Sequence, residues 1–580
     1  MDQHTTPPAK HLLHLGILTL LAVIFLFLSL GSMGLTDRDE GRNAEAGREM
    51  LESGDWISPT FNYEPRYAKP ALVYWLMALS YRSFGVDEFS ARLPSALFGT
   101  ALILMQYLFL ARFCGAAVAL FGSLMLLLNI EIIGLSRMAL TDAVLIFWTT
   151  FSLFSFWLGF QGTAGERGWR WLFYVGMAVA TLAKGPVGFL VPLVGVALFL
   201  TVTGQWGRFR REGSPVLGTL LFGTVALPWY VAMWSLHGAE YTASAQANTV
   251  GRFFNPMEGH SFTIFFYVPV LLLGFFPWSG WLLFAWIRSF REWRTWRKAG
   301  RTDQPLNPDG ALEWFAAAWV IGTFVFFTLS STRLPHYIGP LFPGAALLTA
   351  CYWSRCLSDP TTNGSRAAIH LTMGLGYLLA VGVAALPSLY PSFSGKLLKE
   401  FPLATEMSWG NGPYLASILL LIGMALVGYL GLNEQRRAGA FWAAGASLAL
   451  LVLIVLQLIV PGFNRYFIAP SQELAYAAGV NLSSTDRLIA FGSTRPSLAF
   501  YARRKVIFVG GNEQELLRTH LAQPGRLMIL VPETQKDALP IEARTFTPIL
   551  ARYGYQLLSN EAMVNIPEGV GPPPARLPGH

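Results

Sequence analysis

The sequence predicts a polytopic α-helical membrane protein with a small α/β domain at its C-terminal end. Three observations predict it. Of 580 residues, 53% are hydrophobic and only 13% charged, against about 25% charged in soluble domains, and mean hydropathy is +0.43. Apolar runs of the length that crosses a bilayer, about 20 residues, recur from Leu12 to beyond Ala440. After about Pro461, charges return and short β-rich runs appear. A chain this apolar cannot clothe its surface with polar groups. That excludes a soluble enzyme, a disordered scaffold and a disulfide-stapled secreted domain.

The first span runs from about Leu12 to Gly34. Its core is long for a signal peptide and no A-x-A site follows, so it reads as a retained anchor. A long first outer loop, residues 35–96, carries surface helices. Within it, the segment near Tyr74 is broken by Arg82 and Asp87 and reads as interfacial. Further spans begin near Leu97, Ala116, Leu140, Trp169, Pro186, Val216, Phe262, Phe315, Tyr337, Leu371, Tyr414 and Ala440. That makes about 13 transmembrane helices by hydropathy.

Orientation follows from Lys and Arg. With the N-terminus inside, the inner loops hold sixteen of them, from Arg112 to Arg437. The short outer loops hold six: Arg137, Lys184, Arg252, Arg333, Lys396 and Lys399. This bias obeys the positive-inside rule, and an odd span count puts the C-terminus outside. The formal charge of +8 is thereby assigned to inner loops rather than to nucleic acid.

Residues 1–461 thus form the membrane domain and residues 462–580 an extracytoplasmic α/β domain. In the latter, Arg487–Phe491, Lys505–Val509 and Arg526–Val531 read as strands, with a helix over Glu513–Leu521. Gly510-Gly511 follows a strand but lacks the G-x-G-x-x-G spacing, so no nucleotide site is expected. The tail from Pro567 is Pro- and Gly-rich and reads as loose. No fixed-period repeat is present. The three cysteines (Cys114, Cys351 and Cys356) show no metal-ligand spacing; Cys114 and Cys351 lie in apolar runs and read as buried thiols.

Candidate chemistry sits in the first outer loop, which reads TDRDEGRNAEAGREMLESGDW from Thr36 to Trp56. Thr36 or Asp37 caps a helix, Arg48 and Glu52 pair at i,i+4, and Gly54 stops it. Asp39, Glu40 and Arg42 fall in its first turn. Taken singly, such a helix is a solvated, self-paired surface element. Other segments assigned to the same membrane face change that reading. Arg137 and Asp142 lie in SRMALTD, Lys69 in RYAKP and Lys184 in LAKGP. Arg252 lies in NTVGRFF, and Arg333 and His336 in STRLPHY. Six potential cations facing two or more carboxylates at one face suggest a site for an anionic, lipid-linked group, because Arg and Lys recognise phosphate.

The segment DEGRNAEAGREMLESGDW (Asp39–Trp56), followed by YAKPALVYW (Tyr67–Trp75), resembles the first loop of membrane glycosyltransferases of the lipid A aminoarabinose transferase and protein O-mannosyltransferase type, which share the GT-C fold. Thr141-Asp142, the LAKGP run, Pro228-Trp229-Tyr230, Arg252-Phe253 and LPHYI (Leu334–Ile338) resemble the family in order, over about residues 12–460. The resemblance implies a sugar taken from a polyprenyl (undecaprenyl) phosphate. It also implies transfer to lipid A, a glycan or a protein, at the periplasmic face of the cytoplasmic (inner) membrane. Asp39 and Asp142 map to catalytic acids, and Lys69, Lys184, Arg252 and Arg333 are assigned to the donor phosphate. Glu40, Arg42, Arg137, His336 and Tyr337 are assigned to substrate positioning. Membrane lipid is the surrounding partner. Ala68 stands where relatives often have Glu, and Asn248-Thr249 stands where a Glu or His pairing would help hold a divalent ion. No cofactor is therefore required, although Asp39, Glu40 and Asp142 leave room for a divalent cation. A lipid or sugar transporter is the rival of another class, but transporters place polar sites near the midplane of repeats.

Overall fold

The computed structural model describes residues 7–161, 168–254, 263–300, 308–359, 362, 364–398 and 401–561. All thirteen apolar segments are helical. Among the described residues, eight helices are individually long and apolar enough to cross a membrane, and two pairs bent by 64° and 112° raise the number to 10. The other three, Trp169–Lys184, Val187–Thr203 and Phe342–Ser358, have 16, 17 and 17 residues. At about 1.5 Å per residue they are roughly 24–26 Å long, at the short end of the about 17–25 residues that cross a bilayer. Hydropathy counts apolar runs; it does not see where a run breaks.

Small residues bring the helices together, as is usual where lipid supplies no hydrophobic drive between them. A Cβ on Gly176 would lie 2.9 Å from Ser152 Cβ, so helix Trp169–Lys184 lies close against Asp142–Gln161. A Cβ on Gly188 would lie 2.2 Å from the Ala180 backbone, so the turn at Gly185-Pro186 folds the next helix tightly back. Cys114 and Cys351 bring their sulfurs to 3.7 Å, with Cys351 buried.

The C-terminal sheet has five strands in the order Val506–Val509, Arg487–Phe491, Leu527–Pro532, Tyr555–Ser559, Thr547–Arg552. The first three are parallel. The last two add an antiparallel hairpin that the sequence reading lacks. Thr547–Arg552 carries Pro548 beside a register irregularity and forms a sheet edge, where a strand tolerates a missing donor.

The junction between the two parts is not a linker. Residues Glu434–Asn481 run as one helical stretch of 48 residues, straight through position 461/462. Pro461 lies beyond a π-helical turn at Val455–Ile459, where local loosening of the ladder absorbs its missing N–H. This rigid connection sets the α/β domain onto the first outer loop. Asn464 accepts from Gly34 N–H at 3.0 Å, Tyr501 from Leu35 N–H at 2.9 Å, and Gln472 donates to the Leu35 carbonyl at 2.6 Å. Asn62 donates to and accepts from the Val506 backbone at 2.9 and 2.8 Å.

The helix Asp39–Ser53 is therefore not the solvated element expected of a charge-rich surface helix. Glu40, Asn43, Glu45, Arg48 and Glu49 are all buried. One side packs Ala46 and Met50 against Ala71 and Tyr74. At Gly41 the other side meets the α/β domain so closely that a Cβ would lie 2.7 Å from Ser497 N.

Candidate active site

Asp39 opens a helix, where the dipole favours a carboxylate. The preceding residue, Arg38, holds φ 64°, a backbone state that costs a side-chain-bearing residue about 1–3 kcal/mol. Contacts on both flanks hold it there. The Thr36 N–H and hydroxyl donate to Glu40 Oε2 at 2.7 and 2.8 Å. Asp37 accepts from the Ser497 N–H at 2.9 Å and lies 3.9 Å from Arg495. The α/β domain thus helps fix the turn that aims Asp39.

Glu40 departs from its expected role. Its Oε1 accepts from Arg92 Nε at 2.7 Å and from the Ala139 N–H at 2.8 Å. Both oxygens are saturated and both partners are buried, with side chains 2% and 0% exposed. Arg92 also donates to the carbonyls of Leu30, Met33 and Gly34 at 2.9, 2.6 and 2.9 Å. Glu40 also lines the polar cavity, but its oxygens are already committed, so it acts first as a tie between three segments. Arg92 escaped the sequence reading, although an ionisable residue at the head of an apolar run is itself a signal.

Lys69 reaches Asp39 at 3.2 Å and Lys184 reaches Asp142 at 2.6 Å. The second pair follows directly from topology. Asp142 begins one helix and Lys184 ends the next, so two neighbouring antiparallel helices bring them to the same end. Each charge also suits its helix terminus. Lys184 further stacks on the Tyr337 ring, 5.0 Å from its centroid. Lys69, aided by Arg66, holds Asp39 well below the usual carboxylate range against the opposing effect of burial. Burial lowers Lys69, partly offset by Asp39, while Lys184 pushes it further down. The two ammoniums therefore feel each other across the site. Burial lowers His336 to about 4, against the pull of Asp142.

Two cavities meet at this cluster. One, of about 340 Å³, is walled mainly by Leu145, Leu190, Trp229, Phe253, Phe254, Phe326 and Phe327, with Lys69 and Lys184 among its polar lining. The other, of about 550 Å³, is lined by Arg38, Asp39, Arg42, Glu131 and His336. Thr332 and Tyr337 line both. A phosphate beside the lysines would place an apolar tail in the first cavity and its substituent toward the second.

Two expected cations are elsewhere. Arg137 donates to the carbonyls of Phe25, Leu28 and Ser29 at 3.0, 2.9 and 3.4 Å, closing the end of the first span. Arg333 turns back onto the Thr328 carbonyl at 2.9 and 3.3 Å. Neither lines either cavity. Helix C-termini leave carbonyls unsatisfied, and these guanidiniums satisfy them. The Arg252 side chain lies outside the described residues. Ala68 and Asn248 both line the apolar cavity, and Asn248 Nδ2 donates to the Ser244 carbonyl at 3.0 Å. Ala68 offers no ligand to a divalent ion there, and Asn248 offers at most its amide oxygen.

The chain matches the family model described as dolichyl-phosphate-mannose-protein mannosyltransferase over residues 16–242. It is 28% identical to the undecaprenyl phosphate-alpha-4-amino-4-deoxy-L-arabinose arabinosyl transferase of Edwardsiella ictaluri, covering 75% of each chain. It is 27% identical to the transferase of the same name from Enterobacter sp., covering 76% of this chain and 75% of that one. In structure it is similar to ArnT from Cupriavidus metallidurans bound to undecaprenyl phosphate, with a TM-score of 0.75 at 22% identity. That match covers 97% of this chain and 100% of the other. The apo oligosaccharyltransferase of Archaeoglobus fulgidus is a more distant likeness, with a TM-score of 0.53 at 12% identity, over 91% of this chain and 70% of that one. The resemblance read from the first loop holds, and the fold is that of these multi-pass membrane proteins.

Proposed function

We propose that this protein transfers a sugar from a polyprenyl-phosphate donor to a cell-envelope acceptor such as lipid A, at the outer face of the cytoplasmic membrane. The observation that carries the reading is the pair of carboxylate-held lysines, Lys69 and Lys184, where an apolar cavity meets a polar one. The named relatives support the donor class, and the inner-loop excess of Lys and Arg supports the orientation.

The polyprenyl tail occupies the aromatic-walled cavity and the phosphate lies against Lys69 and Lys184. The acceptor oxygen forms the new bond to the anomeric carbon as the carbon–phosphate-oxygen bond breaks, and polyprenyl phosphate leaves with the electron pair. Negative charge grows on the leaving oxygens, so fixed ammoniums stabilise the transition state more than the ground state. Asp39 and Asp142 keep those ammoniums in place before substrate arrives. A carboxylate held this acidic is a poor proton acceptor. That favours an acceptor already ionised, such as a phosphate, which Arg42 receives while Asp39 keeps Lys69 in place. With a hydroxyl acceptor, the donor phosphate draws Lys69 away, Asp39 becomes more basic and serves as general base. No step passes through a divalent ion.

A protein hydroxyl is the second acceptor reading, favoured by the match to the mannosyltransferase model over residues 16–242. The test is transfer by purified protein from labelled undecaprenyl-phosphate sugar to lipid A or to a Ser/Thr peptide. Asp39→Asn should lose rate with either acceptor, by at least about 100-fold where Asp39 serves as general base, while its thermal unfolding stays near that of the parent chain. Near-normal turnover by that variant removes Asp39 from the mechanism.

A further inference from the structure

The span beginning at Ala116 breaks between Leu127 and Ile130 with a bend of 64°. Asn129 fills the break. Its Oδ1 accepts from the Ile132 N–H at 2.9 Å and its Nδ2 donates to the Gly274 carbonyl at 2.8 Å. The short helix that follows, Ile130–Ser136, turns one face to the polar cavity. Glu131, Gly134 and Leu135 line it, the i, i+3, i+4 spacing of one helical face, and Met138 follows just beyond the helix end. Ile130, at the start of the helix, also lines the cavity and is 47% exposed.

Glu131 is half-buried and, among the described residues, has no hydrogen bond or ion pair. The site's other acids are satisfied: Glu40 by Arg92, Asp39 by Lys69, Asp142 by Lys184. Gly274 leaves room for Glu131, since a Cβ there would come 3.2 Å from its Cγ. A carboxyl in a broken span is costly, and such residues are characteristically functional. Packing does not account for this one, because its polar atoms face open space rather than protein donors. Arg42 lines the same cavity and, among the described residues, has no ion pair. A lining with one uncommitted cation and one uncommitted carboxylate suits a ligand bearing both an anionic group and hydrogen-bond donors.

We propose that Glu131 is a specificity-determining residue of the polar cavity, whose carboxylate accepts hydrogen bonds from the O–H or N–H groups of a phosphorylated saccharide acceptor. This rests on the transfer reading above for its role in the reaction, but not for the binding itself. Arg42 takes the phosphate and Glu131 the sugar edge.

The probe is a diphosphorylated lipid A disaccharide. Its binding to the purified full chain without donor should weaken at least tenfold in Glu131→Ala. In turnover, the acceptor KM should rise to a similar extent, with the donor KM within twofold of the parent value. Glu131→Gln separates the two sources of the bond. Substantial recovery identifies hydroxyls, which an amide oxygen still accepts, and no recovery identifies an ammonium. Equal affinity of Glu131→Ala and the parent chain overturns the proposal, as does a change confined to donor KM or the absence of parent-chain binding. Binding that depends on Glu131 without any transfer supports this proposal and sinks the transfer reading instead.

Discussion

Lys69→Met separates electrostatics at the reacting phosphate from packing. The ammonium lies 3.2 Å from Asp39, with side chains 11% and 39% exposed. Coulomb's law at an effective dielectric of about 20 gives roughly 5 kcal/mol at that distance before desolvation. Asp39 is more than a third exposed, so solvent screening cuts the net contribution to stability to about 1 kcal/mol. The variant should therefore fold, with a small loss of thermal stability. The reaction loses more. A hydrogen bond between an ammonium and a phosphate oxygen is worth about 1.5–3 kcal/mol, which is roughly 10- to 150-fold in rate. The loss should fall on kcat/KM for the polyprenyl-phosphate sugar, with acceptor KM little changed. Initial rates of the purified variant, with donor and acceptor varied in turn, measure both. Donor kcat/KM within threefold of the parent value would refute the assignment of Lys69 to the leaving phosphate. A loss confined to the acceptor side would reverse the assignment of the two cavities.

Removing Arg92 as Arg92→Met leaves Glu40 buried without its cation and should cost about 3–5 kcal/mol, read as a lower midpoint of thermal unfolding in detergent; Glu40→Met on top should recover part of it, and no recovery would contradict the pairing argument. His336 keeps its neutral form down to about 4 against 6.5 in the unfolded chain, so unfolded chain takes up the proton first as pH falls. Native stability should drop between about 6.5 and about 4 and be unaffected by this group above that window; His336→Asn should flatten that part of the stability profile. Exhaustive chelation should leave transfer intact, because Ala68 and Asn248 supply few hard ligands beside Lys69; complete loss restored by one particular ion would show that reasoning wrong. A reporter active only in the cytoplasm, fused to the C-terminus, should stay silent, and a signal would reverse the orientation.

The helices were legible because an apolar run has one stable form in lipid: its backbone groups must bond within the segment. The Asp39 and Asp142 neighbourhoods were legible because charge beside a span needs a reason. The sign of a cation's role was not. Arg137 and Arg333 carry the same chemistry as Lys69 and Lys184, yet they close helix ends while the lysines face the cavities. The difference lies in which carbonyls are left over nearby, and only the packed helices decide that. Glu40 and Asp39 are adjacent in sequence and opposite in fate for the same reason. A helix turns about 100° per residue, so one carboxylate is buried against Arg92 and the other pairs with Lys69 at the cavities.

By itself, then, the sequence determined a multi-span helical bundle, its charged face, the first-loop site and three of the five strands, since each is written in local apolarity or charge. Tertiary structure alone decided that a helix continuous through residue 461 seats the α/β domain on the first loop. It alone placed Ser497 on Asp37 and left Glu131 facing a cavity. These are contacts between residues as much as 466 positions apart. No local pattern encodes them, because they depend on which surfaces remain uncovered after every helix has packed.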